Sequence, residues 1–509
     1  MTTTARGLFS SAAWNHIGKV LEYVLLYSTS ILIARSLGVE ENGRFVGLFS
    51  VSQLLLVLCS FGLEVSLNKH IPQLQGSKSE SEIRFVLRRL LLIRAMAFAA
   101  AASVALVCFF LIEDVFPSNV EEYLFLLLGY TAIGALVSPM AMVLTAQLRT
   151  LLNARITISI KAVELAGVVA LSIGGISVAS LFVLFISTGL LQLLAYLVFA
   201  KSNLLGEEQP IDVKPIITFG SIYWVNTIVD YFLGRHGDVL LLVNILPDSS
   251  QASLYDVAYS IIRVALLGMT VGMSGVTFAT FAKLASGSRD GLDRFYGFMV
   301  RMNSLLTIPI FAFLLFHAAP VVHLLYSSGY DGATKLAQGM AGFLIASRLF
   351  AGAENAEYLL SIGHVAKVVG IGVMAALTNI VLNILLIPRL ESMGSVVASG
   401  VSNLLVNAMG AILVLRISGG KLQVAYWTKI VIVCCGASWL SGVLIASEST
   451  AMFFVQVFTY AISVLGLLAL TKPLTTGDVA WLSGIDGRLA VPLRLFTRST
   501  QDIASGETR

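Results

Sequence analysis

Long apolar runs separated by short polar breaks recur along the whole chain. A helix that crosses a bilayer needs about 20 consecutive apolar residues, and fourteen such runs follow one another here. They predict an all-α integral membrane protein with about fourteen transmembrane helices and little chain left for a water-soluble domain. The predicted spans are 14–34, 45–67, 90–112, 123–146, 156–176, 178–200, 216–246, 252–281, 295–316, 333–360, 365–387, 392–415, 425–445 and 451–470.

The basic residues outside the spans lie mainly on one side of the predicted membrane. Of the 33 Lys and Arg residues, 22 fall in the loops and tails of that side, and the opposite side has only Arg35, Arg44, Lys335 and Arg389. Basic residues are enriched on the cytoplasmic side, so both termini are predicted to be cytoplasmic. An error of one span would disturb this alternation downstream, and the pattern therefore supports the count of fourteen.

Composition narrows the class of protein. Of the 509 residues, 57% are hydrophobic and 12% are charged, and this charged share is about half that of a soluble protein. All four cysteines lie in apolar runs without zinc or redox spacing, so no metal or cofactor is predicted. The distribution of the net charge of +4 along the chain argues against a nucleic-acid partner. The first apolar run lacks the features of a removable signal and is predicted to be a retained span. The outward loops are too short for a catalytic domain.

Two alignments within the chain suggest a long internal repeat. An offset of 210 residues sets Phe45 against Tyr255, and an offset of 207 sets Arg94 against Arg301. Six spans per copy is an even number, so both copies would cross in the same direction as pseudo-symmetric six-helix lobes, with the substrate path between them. The predicted divisions are an N-terminal lobe at 1–206, a C-terminal lobe at 207–418, two further helices at 419–471, and a partly disordered or surface-lying cytoplasmic tail at 472–509.

Fifteen charged residues fall inside the predicted spans, where a charge costs about 2.5–3.5 kcal/mol by insertion scales unless it faces a polar interior. Arg94 and Arg301 lie near cytoplasmic ends and are predicted to extend to the interface, while Glu64 and Asp256 are predicted to be solvated. Three pairs are separated by one helical turn and allow either local ion pairing or a position in a polar cavity. They are Lys19 with Glu22, Lys161 with Glu164, and Arg235 with Asp238.

Two spans combine charges with glycine and are the main candidates for a functional site. Span 216–246 is longer than a crossing needs, and Gly234 and Gly237 permit a kink or local unwinding of the kind that lines transporter binding sites. Its polar residues are Asp230, Arg235, His236 and Asp238. Span 333–360 carries Arg348, Glu354 and Glu357 with Gly342 and Gly352, and Gly363 follows it.

Several segments resemble the polysaccharide transporter family, the O-antigen type of lipid-linked oligosaccharide flippases. The first is ARSLGVEENGRFVGLFSVSQLLLVLCSFGLEVSLNKHIPQL, and further similarity lies in ITFGSIYWVNTIVDYFLGRHGDVLLL, IPIFAFLLFHAAPVVHLLYSSGYDGA and TNIVLNILLIPRLESMGSVVASGVSNLL. The resemblance covers roughly residues 35–405, and Ser392 and Met393 depart from the family pattern before Gly394. The matching positions in the first segment are Arg35, Leu37, Gly38, Gly43, Phe45, Gly62, Leu63, Lys69, Ile71 and Pro72.

The resemblance implies a flippase of the multidrug/oligosaccharidyl-lipid/polysaccharide exporter superfamily. The expected cargo is an undecaprenyl-diphosphate-linked oligosaccharide, moved from the inner to the outer leaflet of a bacterial cytoplasmic membrane by alternating access for polysaccharide biosynthesis. Membrane lipids, a coupling H+ or Na+ and polysaccharide-assembly proteins are the other expected partners. The anionic head group requires a basic cavity, for which the predicted ligands are Lys19, Arg235, Arg263 and Arg348.

The acids inside the spans leave a second role open. Asp230, Asp238 and Glu354 are predicted to carry a coupling proton or cation. A cation-coupled small-molecule or multidrug exporter of the same superfamily is the alternative to a flippase. A membrane-embedded glycosyltransferase, polymerase or phosphatase is the third hypothesis. The outward side disfavours it, because His317, His323 and Asp331 are scattered along a short loop.

Overall fold

The computed structural model describes the backbone of residues 2–76, 80–112, 120–147, 149–199, 206–270, 273–287, 289–445, 449–479 and 494–497. Over these residues the chain is helical, and the only β pairing described is an isolated parallel bridge between Leu474 and Thr497. The prediction of an all-α membrane fold is confirmed. The apolar composition explains it, because a helix satisfies its own backbone hydrogen bonds where no water is present.

Eighteen α-helices are described in chain order. The first nine are α1 (Thr2–Leu37), α2 (Val39–Ser60), α3 (Leu63–Gly76), α4 (Glu80–Leu111), α5 (Val120–Ala146), α6 (Thr150–Gly174), α7 (Val178–Phe199), α8 (Lys214–Leu233) and α9 (Arg235–Ile245). The others are α10 (Ser250–Thr270), α11 (Met273–Ala285), α12 (Arg289–Leu325), α13 (Gly332–Ser347), α14 (Ala353–Ser361), α15 (Val365–Leu390), α16 (Ser392–Ser418), α17 (Val424–Leu444) and α18 (Thr450–Thr471).

Thirteen regions of the described chain are long and apolar enough to cross a membrane. They correspond to thirteen of the fourteen predicted spans, and α13 and α14 together form one of them. The remaining predicted span, 252–281, contains α10 and α11 and also residues 271–272, which lie outside the described residues. The chain is therefore a multi-pass membrane protein.

The second span differs from its predicted bounds because of a turn at Phe61 and Gly62. Both residues have left-handed backbone angles, with φ of 46° and 63°, and they separate α2 from α3. The Phe61 ring stacks on Trp224 of α8 at a centroid distance of 4.6 Å, and the Trp224 indole N–H donates to the Val57 carbonyl oxygen over 2.8 Å. Contacts with α8 thus accompany the turn, which the apolar pattern alone does not reveal.

Two prolines of the apolar spans, Pro139 and Pro309, lie inside α5 and α12. The non-helical residue of α12 is His317, with φ −125° and ψ 28°, three residues before Pro320. A proline clashes with the turn that precedes it, and this local effect accounts for the position of the bend.

The chain divides into two compact units. Unit 1 consists of Met1–Ser260 and Gly372–Ser399, and unit 2 consists of Ile261–Ile371 and Gly400–Arg509. In unit 1, α1 packs on α6, α5 packs on α7, and α3 packs on α5 and α8 around a core that includes Leu67, Leu87 and Val143. In unit 2, α12 packs on α13 and α17, and α17 packs on α18. The six-helix lobes and their boundaries stay a prediction.

Gly62 is expected to be intolerant of substitution. A Cβ atom there would collide with the Gly220 carbonyl oxygen and lie 2.9 Å from the Trp224 amide nitrogen, and the backbone is left-handed. Gly62→Ala should therefore destabilise the protein by about 1–3 kcal/mol. The measurement is thermal unfolding in detergent, with Gly436→Ala as the control because a Cβ atom at Gly436 meets nothing within 4 Å. Equal melting temperatures for the two variants would contradict this account.

Candidate functional site

The predicted break in span 216–246 lies at Gly234, where α8 and α9 meet. Gly234 is extended, with φ −99° and ψ 176°. In the first turn of α9, a Cβ atom on Gly237 would lie 2.7 Å from Phe232 Cα and 2.8 Å from the Tyr231 carbonyl oxygen. Only glycine permits this close approach of the two helix ends. The kink predicted from the sequence is confirmed, and its glycine requirement is steric.

Arg235, the first residue of α9, pairs with Asp256 on α10. Arg235 Nη1 and Asp256 Oδ1 are 3.0 Å apart, and Asp256 is 4% exposed. Of the two alternatives left open for Arg235 and Asp238, local pairing is therefore wrong, and the solvated position predicted for Asp256 is also wrong. The physical reason is that neutral donors from other helices bind the Asp238 carboxylate, while Arg235 finds a buried carboxylate on α10.

Asp238 lies in a cluster of neutral polar side chains within unit 1, where it is 1% exposed. Asn383 Nδ2 donates to Asp238 Oδ1 over 2.9 Å, and the hydroxyl groups of Tyr255 and Ser399 donate to Asp238 Oδ2. Asn379 is fully buried and hydrogen bonds to both Ser399 and Asn383. Over the part of the chain that the structure describes, Asp238 has no ion-pair partner. We call these five residues the Asp238 cluster.

The chemistry of the Asp238 cluster suits a small cation. A buried carboxylate without a counter-charge is unfavourable, and a proton or a bound monovalent cation would provide the missing charge. The carboxylate, amide and hydroxyl oxygens of the cluster are the donors that hard cations prefer. Within the described residues, no group of three His, Cys, Asp or Glu side chains is arranged to hold a metal ion. The cluster thus has the chemistry to hold a proton or a monovalent cation at Asp238.

Span 333–360 is also broken, and its charged residues form a second site within unit 2. After α13, residues Arg348–Phe350 form a 3-10 turn, and Ala351 has φ 66° before α14 begins. Arg348 Nη2 lies 3.0 Å from Glu354 Oε1 across this break, and Asn303 of α12 also donates to Glu354. Glu354 is 1% exposed. Its charge is compensated by Arg348, so its environment differs from that of Asp238.

The other predicted site residues have fewer contacts. Lys19 pairs with Glu22 on α1 at 2.8 Å, and the Lys19 side chain is 59% exposed. Arg263 on α10 is exposed and has no ion-pair partner in the described part of the chain. Asp230 on α8 is exposed and accepts a hydrogen bond from Asn226 over 3.1 Å. The structure thus groups Arg235 with Asp256, and Arg348 with Glu354, in two different units.

Two arginines predicted to extend to the interface are paired inside the protein. Arg94 is 2% exposed and binds Glu64 of α3, so the solvated position predicted for Glu64 is also wrong. Arg301 binds Asp478, which follows α18 and is 1% exposed. Sequence position near a helix end indicates reach to the interface, but it does not reveal an acid on another helix.

Neutral side chains complete both sites, and the pattern of ionisable residues does not predict them. Asn379 and Asn383 lie one turn apart on an apolar helix, and Asn303 lies on another. Amide side chains inside spans need partners as charges do, and this spacing was the available signal. Their partners Tyr255 and Ser399 are common residues in membrane helices, so the sequence does not mark them as part of a site.

The first comparison with known proteins is at the level of the family. A family described as "Polysaccharide biosynthesis protein" matches residues 32–335, which is more than half of the chain. The chain belongs to this polysaccharide biosynthesis family. The resemblance to the polysaccharide transporter family is thereby confirmed. No curated protein sequence matches the chain.

Solved structures with a similar fold are membrane transporters. The lipid II flippase MurJ in an inward closed conformation matches with a TM-score of 0.70 and 14% identity over 90% of this chain and 98% of that chain. An inward-facing multidrug resistance MATE family transporter of the MOP superfamily matches with a TM-score of 0.61 and 14% identity over 78% of this chain and 95% of that chain. A MOP superfamily transporter from Pyrococcus furiosus matches with a TM-score of 0.52 and 14% identity over 81% of this chain and 95% of that chain. This family member therefore has the MOP superfamily fold.

The Arg348–Glu354 pair should show the energetics of a buried ion pair. Glu354→Gln leaves Arg348 without its counter-charge and should cost about 3–5 kcal/mol, and adding Arg348→Gln should recover a large part of that loss. The exposed pair Lys19–Glu22 is the control, with an expected change below about 1 kcal/mol. Thermal unfolding of both double-mutant cycles measures these differences. Equal coupling in the two pairs would refute the distinction.

Proposed function

We propose that this protein moves a lipid-linked oligosaccharide from the inner to the outer leaflet of a bacterial cytoplasmic membrane by alternating access. The observation that carries the proposal is the pair of broken spans, which brings charged and amide side chains into otherwise apolar membrane helices. Membership of a polysaccharide biosynthesis family supports a sugar cargo. The likeness in fold to a lipid II flippase supports movement of a lipid carrier.

Transport accounts for the arrangement of charges better than catalysis does. Hydrolysis or group transfer needs an acid, base or nucleophile open to substrate, but Asp256 and Glu354 are each buried against an arginine. A charge pair beside a helix break instead provides a polar environment that can rearrange as the helices move. The protein is accordingly proposed to be a transporter and not an enzyme, with cytoplasmic termini as the loop charges predict.

The head group of an undecaprenyl-diphosphate carrier is anionic, and arginine is well suited to bind it. A guanidinium group has five N–H donors in a planar fork that matches phosphate geometry. Arg263 has no carboxylate partner in the described chain and is the most available ligand. One guanidinium nitrogen of Arg235 faces Asp256, and the other N–H groups of Arg235 can donate to phosphate oxygens. Lys19 and Arg348 complete the proposed set of ligands.

The Asp238 cluster is the proposed site of ion coupling. A proton or Na+ at Asp238 would change the charge of a buried group that joins α9, α10, α15 and α16 through hydrogen bonds. The ion would therefore bias the packing of these helices, which is how an ion gradient can drive a conformational change. Glu354 and Asp230 are weaker candidates, because Arg348 compensates Glu354 and Asp230 is exposed.

A cation-coupled small-molecule exporter is the second candidate function. The Asp238 cluster favours it as much as it favours a flippase, and the multidrug transporter match has a TM-score of 0.61. The two functions differ in cargo. An exporter would move soluble drugs out of intact cells, and its deletion would leave no lipid-linked intermediate behind.

Loss of the protein should leave an undecaprenyl-linked sugar on the cytoplasmic leaflet. In a deletion strain, mass spectrometry of lipid extracts should detect this intermediate, and expression of Arg235→Ala or Arg348→Ala should not restore its export to the normal rate. Lys367→Ala is the control, because Lys367 is an exposed basic residue at the start of α15 outside both sites. Normal export by both arginine variants would refute the diphosphate ligands, and no accumulation would favour the exporter.

Ion dependence should be lost when the Asp238 carboxylate is replaced by a neutral amide. Asp238→Asn keeps the size of the side chain but cannot change charge, so transport in proteoliposomes should no longer respond to an imposed H+ or Na+ gradient. Asp212→Asn, in the exposed segment before α8, makes the same substitution outside the proposed coupling residues and should keep the response. A gradient response in Asp238→Asn equal to that of the unmodified protein would assign coupling elsewhere.

A further inference from the structure

The segment that follows α18 folds back onto unit 2. α18 ends at Thr471, Leu474 and Asp478 are each 1% exposed, and the Leu474 amide donates to the Phe496 carbonyl oxygen over 3.0 Å. Within the tail predicted to be partly disordered or surface-lying, residues 472–479 lie against unit 2, with Leu474 and Asp478 buried and Thr475, Thr476 and Gly477 exposed. We call residues 472–479 the docked segment.

The Asp478 carboxylate fixes the docked segment, because both of its oxygens accept hydrogen bonds. Arg301 Nη2 donates to Asp478 Oδ1 over 2.6 Å, and Arg301 Nε donates to Oδ2 over 3.0 Å. The Thr475 amide and hydroxyl groups donate to Asp478 Oδ2 over 2.9 Å and 2.8 Å. Several charge-assisted bonds to one buried carboxylate hold a segment that has few apolar residues of its own.

In the predicted internal repeat, Arg301 corresponds to an arginine that also pairs with an acid. The offset of 207 residues sets Arg301 against Arg94, which binds Glu64 on α3. The same offset sets Glu64 against Val271, and the three following residues, Gly-Met-Ser, are not acidic either. On this alignment the second half of the chain has no acid at the position of Glu64, and Arg301 pairs with Asp478 of the docked segment instead.

The docked segment also forms one wall of a cavity of about 580 Å³ that lies wholly within unit 2. The start of α12 and the loop between α16 and α17 form the rest of its lining, with hydroxyl and amide groups from Ser418, Gln423 and Thr475. Gln423 Oε1 is buried and has no hydrogen-bond partner. These elements all belong to the side that the loop charges predict to be cytoplasmic.

The cations of this cavity are not balanced by its acids. Asp478 is bound by Arg301, and Asp293 accepts a hydrogen bond from Tyr358 over 2.6 Å. Arg294 and Lys421 also line the cavity, and neither has an ion-pair partner in the part of the chain that the structure describes. The lining therefore has three cations, Arg294, Arg301 and Lys421, against two carboxylates, Asp293 and Asp478. One excess cation beside hydroxyl and amide groups favours an anion that also carries hydroxyl groups.

We propose that this cavity binds a phosphate ester of a polyol through Arg294 and Lys421, and that docking of residues 472–479 completes the site. The volume exceeds that of a bare phosphate ion and suits a glycerol phosphate or sugar phosphate. Such a group is found in a lipid head group and in soluble sugar phosphates. The ligand and the docked segment should stabilise each other, because two events that share one folded arrangement are linked. The proposal does not depend on the transported cargo.

The test uses the purified full-length protein and two probes with the same chemistry. Isothermal titration calorimetry measures binding of glycerol 3-phosphate, and native mass spectrometry measures retention of phosphatidylglycerol relative to phosphatidylcholine. At least one probe should bind, and Arg294→Ala and Lys421→Ala should each weaken it about tenfold, as expected for loss of a hydrogen-bonded charge. Lys367→Ala removes a cation of unit 2 that does not line the cavity and should have no effect.

Hydrogen–deuterium exchange at the amides of residues 472–479 reports on docking in the same samples, because the Leu474 and Thr475 amides are hydrogen bonded in the docked segment. The bound probe should slow this exchange, and Asp478→Asn should both accelerate exchange and weaken probe binding. Binding of glycerol 3-phosphate alone would assign a soluble ligand, and selective retention of phosphatidylglycerol would assign a lipid. If Arg294→Ala and Lys421→Ala leave both probes unaffected, no such site exists. Faster exchange in Asp478→Asn with unchanged binding would remove the docked segment from the site.

Discussion

A polar group inside a membrane requires a partner, and this requirement shapes both breaks in the helices. At Gly234, the Tyr231 hydroxyl donates to the Ser50 and His236 carbonyl oxygens over 2.9 Å and 3.3 Å. At the break after α13, Asn355 Nδ2 donates to the Phe350 carbonyl oxygen over 2.8 Å. Each break is therefore accompanied by a side chain that satisfies the carbonyl groups nearby. A helix of purely apolar residues could not be opened in this way.

The same requirement connects distant parts of the chain through Asp238. Its carboxylate accepts hydrogen bonds from α10, α15 and α16, and each of these helices contributes residues to both compact units. A change of charge at Asp238 would be felt by three helices that continue beyond unit 1. Arg348 and Glu354, in contrast, are bonded within unit 2 to α12 and across one break. The two broken spans thus differ in their bonding: the first holds a carboxylate bound by neutral donors, and the second holds a carboxylate paired with an arginine.

Local features of the sequence predicted the local features of the fold. The lengths of the apolar runs predict the membrane spans, and Gly234 and Gly237 beside Arg235 predict the break between α8 and α9. Both features depend on residues close together in the chain. Partners distant in sequence were not predictable. Asp478 lies 177 residues from Arg301, and Asn383 lies 145 residues from Asp238. An acid in a hydrophilic tail has the composition of a solvated segment, and only the folded chain brings it to the arginine that needs it.

The intramembrane ion pairs fall into two kinds that differ in their response to motion. Lys19–Glu22 and Lys161–Glu164 each lie on one helix and persist however that helix moves as a rigid body. Arg94–Glu64 and Arg235–Asp256 join different helices, so relative motion of those helices must either preserve the pair or leave two buried charges uncompensated. Pairs of the second kind therefore restrict which helices can separate. Motions that keep α3 with α4 and α9 with α10 avoid this cost, and the break at Gly234 lies between α9 and α8, outside both of these pairs of helices.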